Sequence, residues 1–95
     1  MRKSSLSTFY HLLQILSTPT ISFSLSESRM VQLNIYNALG QQVRALVSGE
    51  HLESGSHQLV WDGRDAYGQV VSNGIYVYEM QAGDFRAVRK MLMLK

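Results

Sequence analysis

The 95-residue sequence contains no cysteine, one proline and one tryptophan. Without cysteine there is no disulfide framework, no thiolate metal site and no thiol nucleophile, although the compartment stays open. No apolar run approaches the roughly 20 residues a membrane-crossing helix needs, so no membrane span is expected. Charge of either sign is also scarce, with nine basic residues against seven acidic ones and a net charge of +2. The basic residues Arg2, Lys3, Arg29, Arg44, Arg64, Arg86, Arg89, Lys90 and Lys95 are spread along the chain, which is no footprint for nucleic acid. A chain this short holds one core, and therefore one domain.

What is present divides at Pro19. Before it lies a leader rich in serine and leucine, in which Leu6, Phe9, Leu12, Leu13 and Leu16 fall at helical spacing. Ser7 to Leu16 is expected to be a short helix, marginal on its own, or else disordered. Arg2 and Lys3 could open a secretory signal, but His11 and Gln14 interrupt the apolar stretch and no small-x-small cleavage site follows. Residues 1–19 are therefore read as a leader or linker, and residues 20–95 as the domain.

From Thr20 the apolar period becomes two. Ile21, Phe23 and Leu25 alternate with Ser22, Ser24 and Ser26, and Val31, Leu33 and Ile35 alternate with Gln32, Asn34 and Tyr36. Asn37 to Gly40 reads as a tight turn into a third strand over Gln42 to Val47, with Ser48 to Gly55 as a polar loop. His57, Leu59 and Trp61 define a fourth strand. A loop from Gly63 to Gly74 follows, then a fifth strand over Ile75 to Ala82 and a last one over Phe85 to Leu94. In that last strand Val88, Leu92 and Leu94 compete with Ala87, Met91 and Met93 for the inner face, and Arg89-Lys90 breaks both patterns, so a bulge is expected there. About six to seven short strands without alternating helices predict an all-β sandwich or small barrel. Its expected core is Ile21, Phe23, Leu25, Val31, Leu33, Ile35, Leu59, Trp61, Tyr76 and Tyr78.

Catalytic chemistry has little to work with. His11 lies in the leader, His51 in a polar loop and His57 on a strand beside Ser56, whose side chain points to the other face, so no activated nucleophile is evident. Asp62 and Asp65 lack the Asp-x-Asp-x-Asp-Gly order of the familiar calcium loop and read as turn caps. Gly63, Gly68 and Gly74 precede a strand where a phosphate cradle would need a helix. Tyr36, Tyr67, Tyr76, Tyr78 and Trp61 read as packing residues before they read as a binding platform. No enzyme, cofactor or metal is expected.

The segment from Trp61 to Tyr76 carries Trp61-Asp62-Gly63, Asp65, Gly68, Gly74 and Tyr76 in the spacing W-D-G-x-D-x-x-G-x-x-v-x-x-G-x-Y. With it the chain resembles the immunoglobulin-like domain of flagellar hook-capping proteins. Preceded by Val31 to Val43 and followed by Arg89-Lys90-Met91-Leu92-Met93-Leu94-Lys95, the same pattern is similar to the type A sorting domain of type IX secretion. The resemblance spans Thr20 to Lys95 and implies an immunoglobulin-like antiparallel β-sandwich. In that reading Trp61 fills the core, Asp62 and Asp65 cap turns, and Gly63, Gly68 and Gly74 take conformations that other residues resist.

For function, the resemblance implies a non-catalytic sorting module recognised by the type IX translocon after export to the periplasm, its cargo then being secreted or held on the outer cell surface. Arg89, Lys90 and Lys95 become the candidate recognition residues. Members of that family enter the first strand through an Asn-Pro-Phe-Asn-Pro-like segment, whereas Ser17-Thr18-Pro19-Thr20 stands here. The expected partner on the N-terminal side is a missing cargo domain, which makes this frame the tail of a larger protein. Two alternatives are a structural assembly module of the hook-cap type and a carbohydrate-binding accessory domain. The latter requires an exposed planar pair among Tyr36, Tyr67 and Tyr78.

Overall fold

Strands whose side chains alternate between apolar and polar can bury one face each, and this chain forms two sheets on that basis. The computed structural model describes residues 19–94 and contains six antiparallel strands. The expected leader helix and Lys95 lie outside the described residues. The first sheet pairs β1 (Thr20–Leu25) with β4 (Gly55–Val60), setting Ile21 opposite Leu59 and Phe23 opposite His57. The Phe23 and His57 rings stack with centroids 5.3 Å apart. On the other face the hydroxyls of Ser24 and Ser56 approach to 3.4 Å at the surface.

The second sheet has the order β3-β2-β5-β6, built from β2 (Arg29–Asn37), β3 (Gln42–Leu52), β5 (Gly74–Ala82) and β6 (Phe85–Met93). Val31, Leu33 and Ile35 on β2 are fully buried and stand opposite Ala82, Met80 and Tyr78 of β5. Val31, Leu33, Ile35, Met80 and Ala82 form a single apolar cluster with Ile21, Leu25, Val47, Trp61, Tyr76, Met91 and Met93. Each side chain of this size stabilises the fold by roughly 1.5–3 kcal/mol before ordering costs. The opposite face of the sheet is polar. There Gln32 donates to Asn34, Asn34 to the Tyr36 hydroxyl, and Tyr36 to Glu79, which also pairs with Arg86.

Three expectations change. First, Ser48 to Leu52 is strand, because β3 bulges at Gly49 and then continues pairing, Glu50 with Val31 and His51 with Met30. Second, no bulge occurs at Arg89-Lys90. The β5–β6 register is unbroken from Gly74↔Met93 to Ala82↔Phe85, and the irregularities fall between β2 and β3 instead. This register turns Ala87, Met91 and Met93 inward and leaves Val88 exposed. Arg89 shares the inward parity yet stays exposed, as does Phe85, so it is the Met91–Met93 end of β6 that is buried in the core. Third, Phe23, Leu59 and Tyr78 only pack against the core from its rim, while Val47, Met80, Ala82, Met91 and Met93 complete it.

Candidate functional site

The residues of the Trp61 to Tyr76 motif are brought together by a loop that crosses from one sheet to the other. Pairing of the first sheet extends one step past β1, where the Trp61 N–H donates to the Pro19 carbonyl at 3.0 Å. This sends the Trp61 ring into the core, fully buried, with its indole Nε1 donating to the Arg64 carbonyl at 3.0 Å. Tyr76, buried at the start of β5, meets that ring edge-on and donates its hydroxyl to the Ser72 carbonyl at 2.7 Å. The two aromatics thus tie both ends of the loop to the core.

Between them, each aspartate organises a turn. Asp62 Oδ1 accepts the Arg64 N–H at 3.0 Å and the Arg44 guanidinium at 2.9 Å, and Arg44 also donates to the Arg64 carbonyl. Desolvation, the largest single influence, pulls the Asp62 carboxyl up, but the hydrogen bonds from Arg64 and Arg44 and the charges of both together outweigh it and hold the pKa below the ordinary 3.8. Asp65 Oδ1 accepts from the N–H groups of Tyr67 and Gln69 at 2.9 and 3.0 Å. Gly63 sits at φ 74, and a Cβ there would meet Met93 Cε at 3.3 Å, so a side chain is resisted by both backbone and packing. Gly68 closes the second turn by donating to the Asp65 carbonyl. Gly74 opens β5 opposite Met93.

Sequence reading alone did not find Arg44, Val43, Ser72, Met93 or the Pro19 carbonyl as members of this assembly. Arg44 lies 18 residues from Asp62, and Ala66 donates to the Val43 carbonyl from the far side of the loop. No local pattern announces such pairings. The Asp65 cap, by contrast, spans only two to four residues and is readable from composition.

The candidate recognition residues Arg89 and Lys90 lie exposed on β6, apart from the loop, while their neighbours Met91 and Met93 are buried. Arg89 donates to the Val88 carbonyl of its own strand. Among the described residues the ion pairs are Arg29–Glu27, Arg44–Asp62 and Arg86–Glu79, so neither Arg89 nor Lys90 is paired with a carboxylate. Tyr78, opposite Arg89, has its pKa raised above 10.0 by burial, partly offset by the Arg89 charge. Lys95 lies outside the described residues.

The other groups weighed from the sequence are dispersed. His57 contacts the Glu53 carbonyl at 2.7 Å and stacks on Phe23, and His51 is exposed on β3. Of the tyrosines needed for a glycan platform, Tyr78 faces inward, Tyr36 faces outward opposite Val77, and Tyr67 is 90% exposed at the loop. Among the described residues no group of three His, Cys, Asp or Glu side chains stands ready to hold a metal, and no helix is long and apolar enough to cross a membrane.

A six-stranded sandwich with a loop pinned by Trp61 and Tyr76 defines an immunoglobulin-like module. Residues 14–84 match the FlgD Ig-like domain family, and the chain belongs to that family of non-catalytic modules. Among solved structures it is similar to FlgD from P. aeruginosa, with a TM-score of 0.63 and 26% identity over 80% of this chain and 59% of that one. It also matches PorZ, a bacterial surface component of the type IX secretion system of Porphyromonas gingivalis, with a TM-score of 0.47 and 19% identity over 70% of this chain and 8% of PorZ. No curated protein matches the sequence.

Proposed function

We propose that this chain is a non-catalytic sorting module that directs a cargo protein through the periplasm and the type IX translocon to the medium or the outer cell surface. Residues 20–95 form the module and residues 1–19 lead into it. The observation that carries the reading is the division of labour on β6. Met91 and Met93 anchor the strand in the core, while Arg89 and Lys90 stand exposed with no carboxylate partner among the described residues. An anchored strand displaying free charge is suited to recognition by a partner. Asp62 and Asp65 direct Oδ1 to turn N–H groups, as befits a scaffold.

The test fuses residues 20–95 to the C-terminus of a fluorescent protein behind an export signal, in a host with type IX secretion and in its translocon-null derivative. Delivery to the surface or medium that vanishes in the null strain supports the reading. Periplasmic retention in both overturns it. Deleting Arg89 to Lys95 would also remove Met91 and Met93 from the core, so the paired variant is R89E/K90E, which leaves the core intact.

The similarity to FlgD from P. aeruginosa favours a second reading, a structural assembly module that packs against copies of itself. Concentration-dependent association in sedimentation velocity, with periplasmic retention of the reporter, would select it.

A further inference from the structure

The four-stranded sheet has two outer edges, and they differ. Strand β3 is interrupted by register shifts at three places against β2, and the loop covers part of it through the hydrogen bond from Ala66 to the Val43 carbonyl. Bulges, covering loops and charged side chains are ways proteins blunt a sheet edge. Strand β6 has neither bulge nor covering loop, and its edge carries instead the charges of Arg86, Arg89 and Lys90, which an acidic strand would offset. Its nine residues pair with β5 in unbroken register, and among the described residues nothing pairs with its other side. Phe85 and Val88 are 57% and 53% exposed along it. Apart from the Val88 carbonyl, which accepts from the Arg89 side chain, an extended, regular strand of this kind offers a row of backbone donors and acceptors to an added strand.

The charge on β6 selects the occupant. The strand carries Arg86, Arg89 and Lys90 and no acidic residue, and only Arg86 is neutralised, by Glu79. A second copy fits badly. Antiparallel pairing of β6 with itself about Val88 sets Arg86 opposite Lys90, and pairing about Arg89 sets that residue opposite itself, and like charges across a pair are destabilising. The leader is an equally poor match, since residues 1–18 include Arg2 and Lys3 and no acid. We infer that β6 docks an extended acidic peptide segment of a partner protein by strand addition, with carboxylates set against Arg89 and Lys90 and apolar side chains against Val88 and Phe85. Arg89 and Lys90 are consecutive and point to opposite faces of the sheet, so the fitting segment carries two adjacent acids. This deepens the sorting reading, on which it rests for the choice of β6 as recognition surface.

The probe is a blocked nonapeptide with a central Glu-Glu pair flanked by alternating valine and threonine, titrated into the full chain and followed by amide shifts and hydrogen exchange. The expected result is slowed exchange and shifted resonances confined to β6 and its β5 neighbours. Binding should fall about tenfold or more for R89E/K90E and for a peptide with a central Lys-Lys pair. It should also be lost when alternate peptide nitrogens are methylated, which removes the strand-pairing donors but leaves the charge. No binding at millimolar peptide, protection elsewhere in the domain, or equal binding of the methylated peptide would overturn the inference. So would β6 protection in the free chain that rises with protein concentration, or that disappears when residues 1–18 are removed. Reporter delivery that depends on the translocon while the peptide fails to bind would overturn strand addition and leave sorting standing. Peptide binding with retained reporter would overturn sorting alone.

Discussion

The ring of Trp61 meets the ring of Tyr76 edge-on, with centroids 5.4 Å apart and planes at 66°. Each is also tied to the loop between them, Trp61 through its indole N–H to the Arg64 carbonyl and Tyr76 through its hydroxyl to the Ser72 carbonyl. Edge-to-face contact favours this geometry beyond simple burial. The loop is therefore held at both ends by side chains that also belong to the core, and its conformation is coupled to the stability of the whole sandwich.

Truncating either anchor should show that coupling. Trp61→Ala should cost about 3–5 kcal/mol, a large part of the stability of so small a domain. Tyr76→Phe, which removes only the hydroxyl, should cost about 1 kcal/mol. Urea unfolding followed by circular dichroism measures both. A loss under about 1 kcal/mol for Trp61→Ala would mean that the ring is not the wedge its burial indicates.

Gly63 and Gly68 separate two costs. Both have positive φ, 74 and 84, so alanine at either should cost roughly 1–2 kcal/mol from the backbone. Only at Gly63 does a Cβ meet a neighbour, Met93 Cε, whereas nothing lies within 4 Å at Gly68. Gly63→Ala should therefore be the more destabilising, and a smaller Met93 side chain should lessen the difference between the two glycine variants. Equal losses, unaffected by Met93→Ala, would rule out the contact.

Two pH effects follow from the shifted groups. The Asp62 carboxyl titrates below its ordinary value in the folded state, so its contribution is present above the unfolded pKa and is lost as pH falls through the folded one. Screening at this exposed pair keeps it below about 1 kcal/mol. Acid unfolding of Asp62→Asn should lack that portion of the slope. Tyr78 shifts the opposite way, so its contribution is present below its unfolded pKa of about 10 and lost as pH rises through the folded value. Tyr78→Phe should flatten the alkaline limb of the stability curve, and an unchanged limb would argue against burial of the hydroxyl.

On β6 stability and recognition should come apart. Met91→Ala and Met93→Ala each remove a buried side chain and should cost roughly 2–5 kcal/mol. R89E/K90E alters exposed residues and should change stability by only about 0.5 kcal/mol while abolishing reporter delivery. Thermal melts and localisation of the same variants measure the two effects. Delivery by R89E/K90E at the unsubstituted level would remove these residues from recognition.

By itself the sequence determined the faces of β1 and β2, because alternation of apolar and polar residues leaves only one side to bury. It also determined the Asp62 and Asp65 turns, whose hydrogen bonds to backbone N–H groups span no more than four residues. It did not determine which face of β6 turns inward. Ala87, Met91 and Met93 competed evenly with Val88, Leu92 and Leu94 until pairing with β5 placed Met91 opposite buried Tyr76. The continuation of β3 past Gly49, the clasp of Arg44 on Asp62 and the seat of Gly63 against Met93 were decided by tertiary structure alone, since each joins residues far apart in the chain, β3 with β2 within one sheet and the loop with β3 and β6. Local chemistry wrote the turns and the alternation; long-range register chose the edge that β6 leaves open.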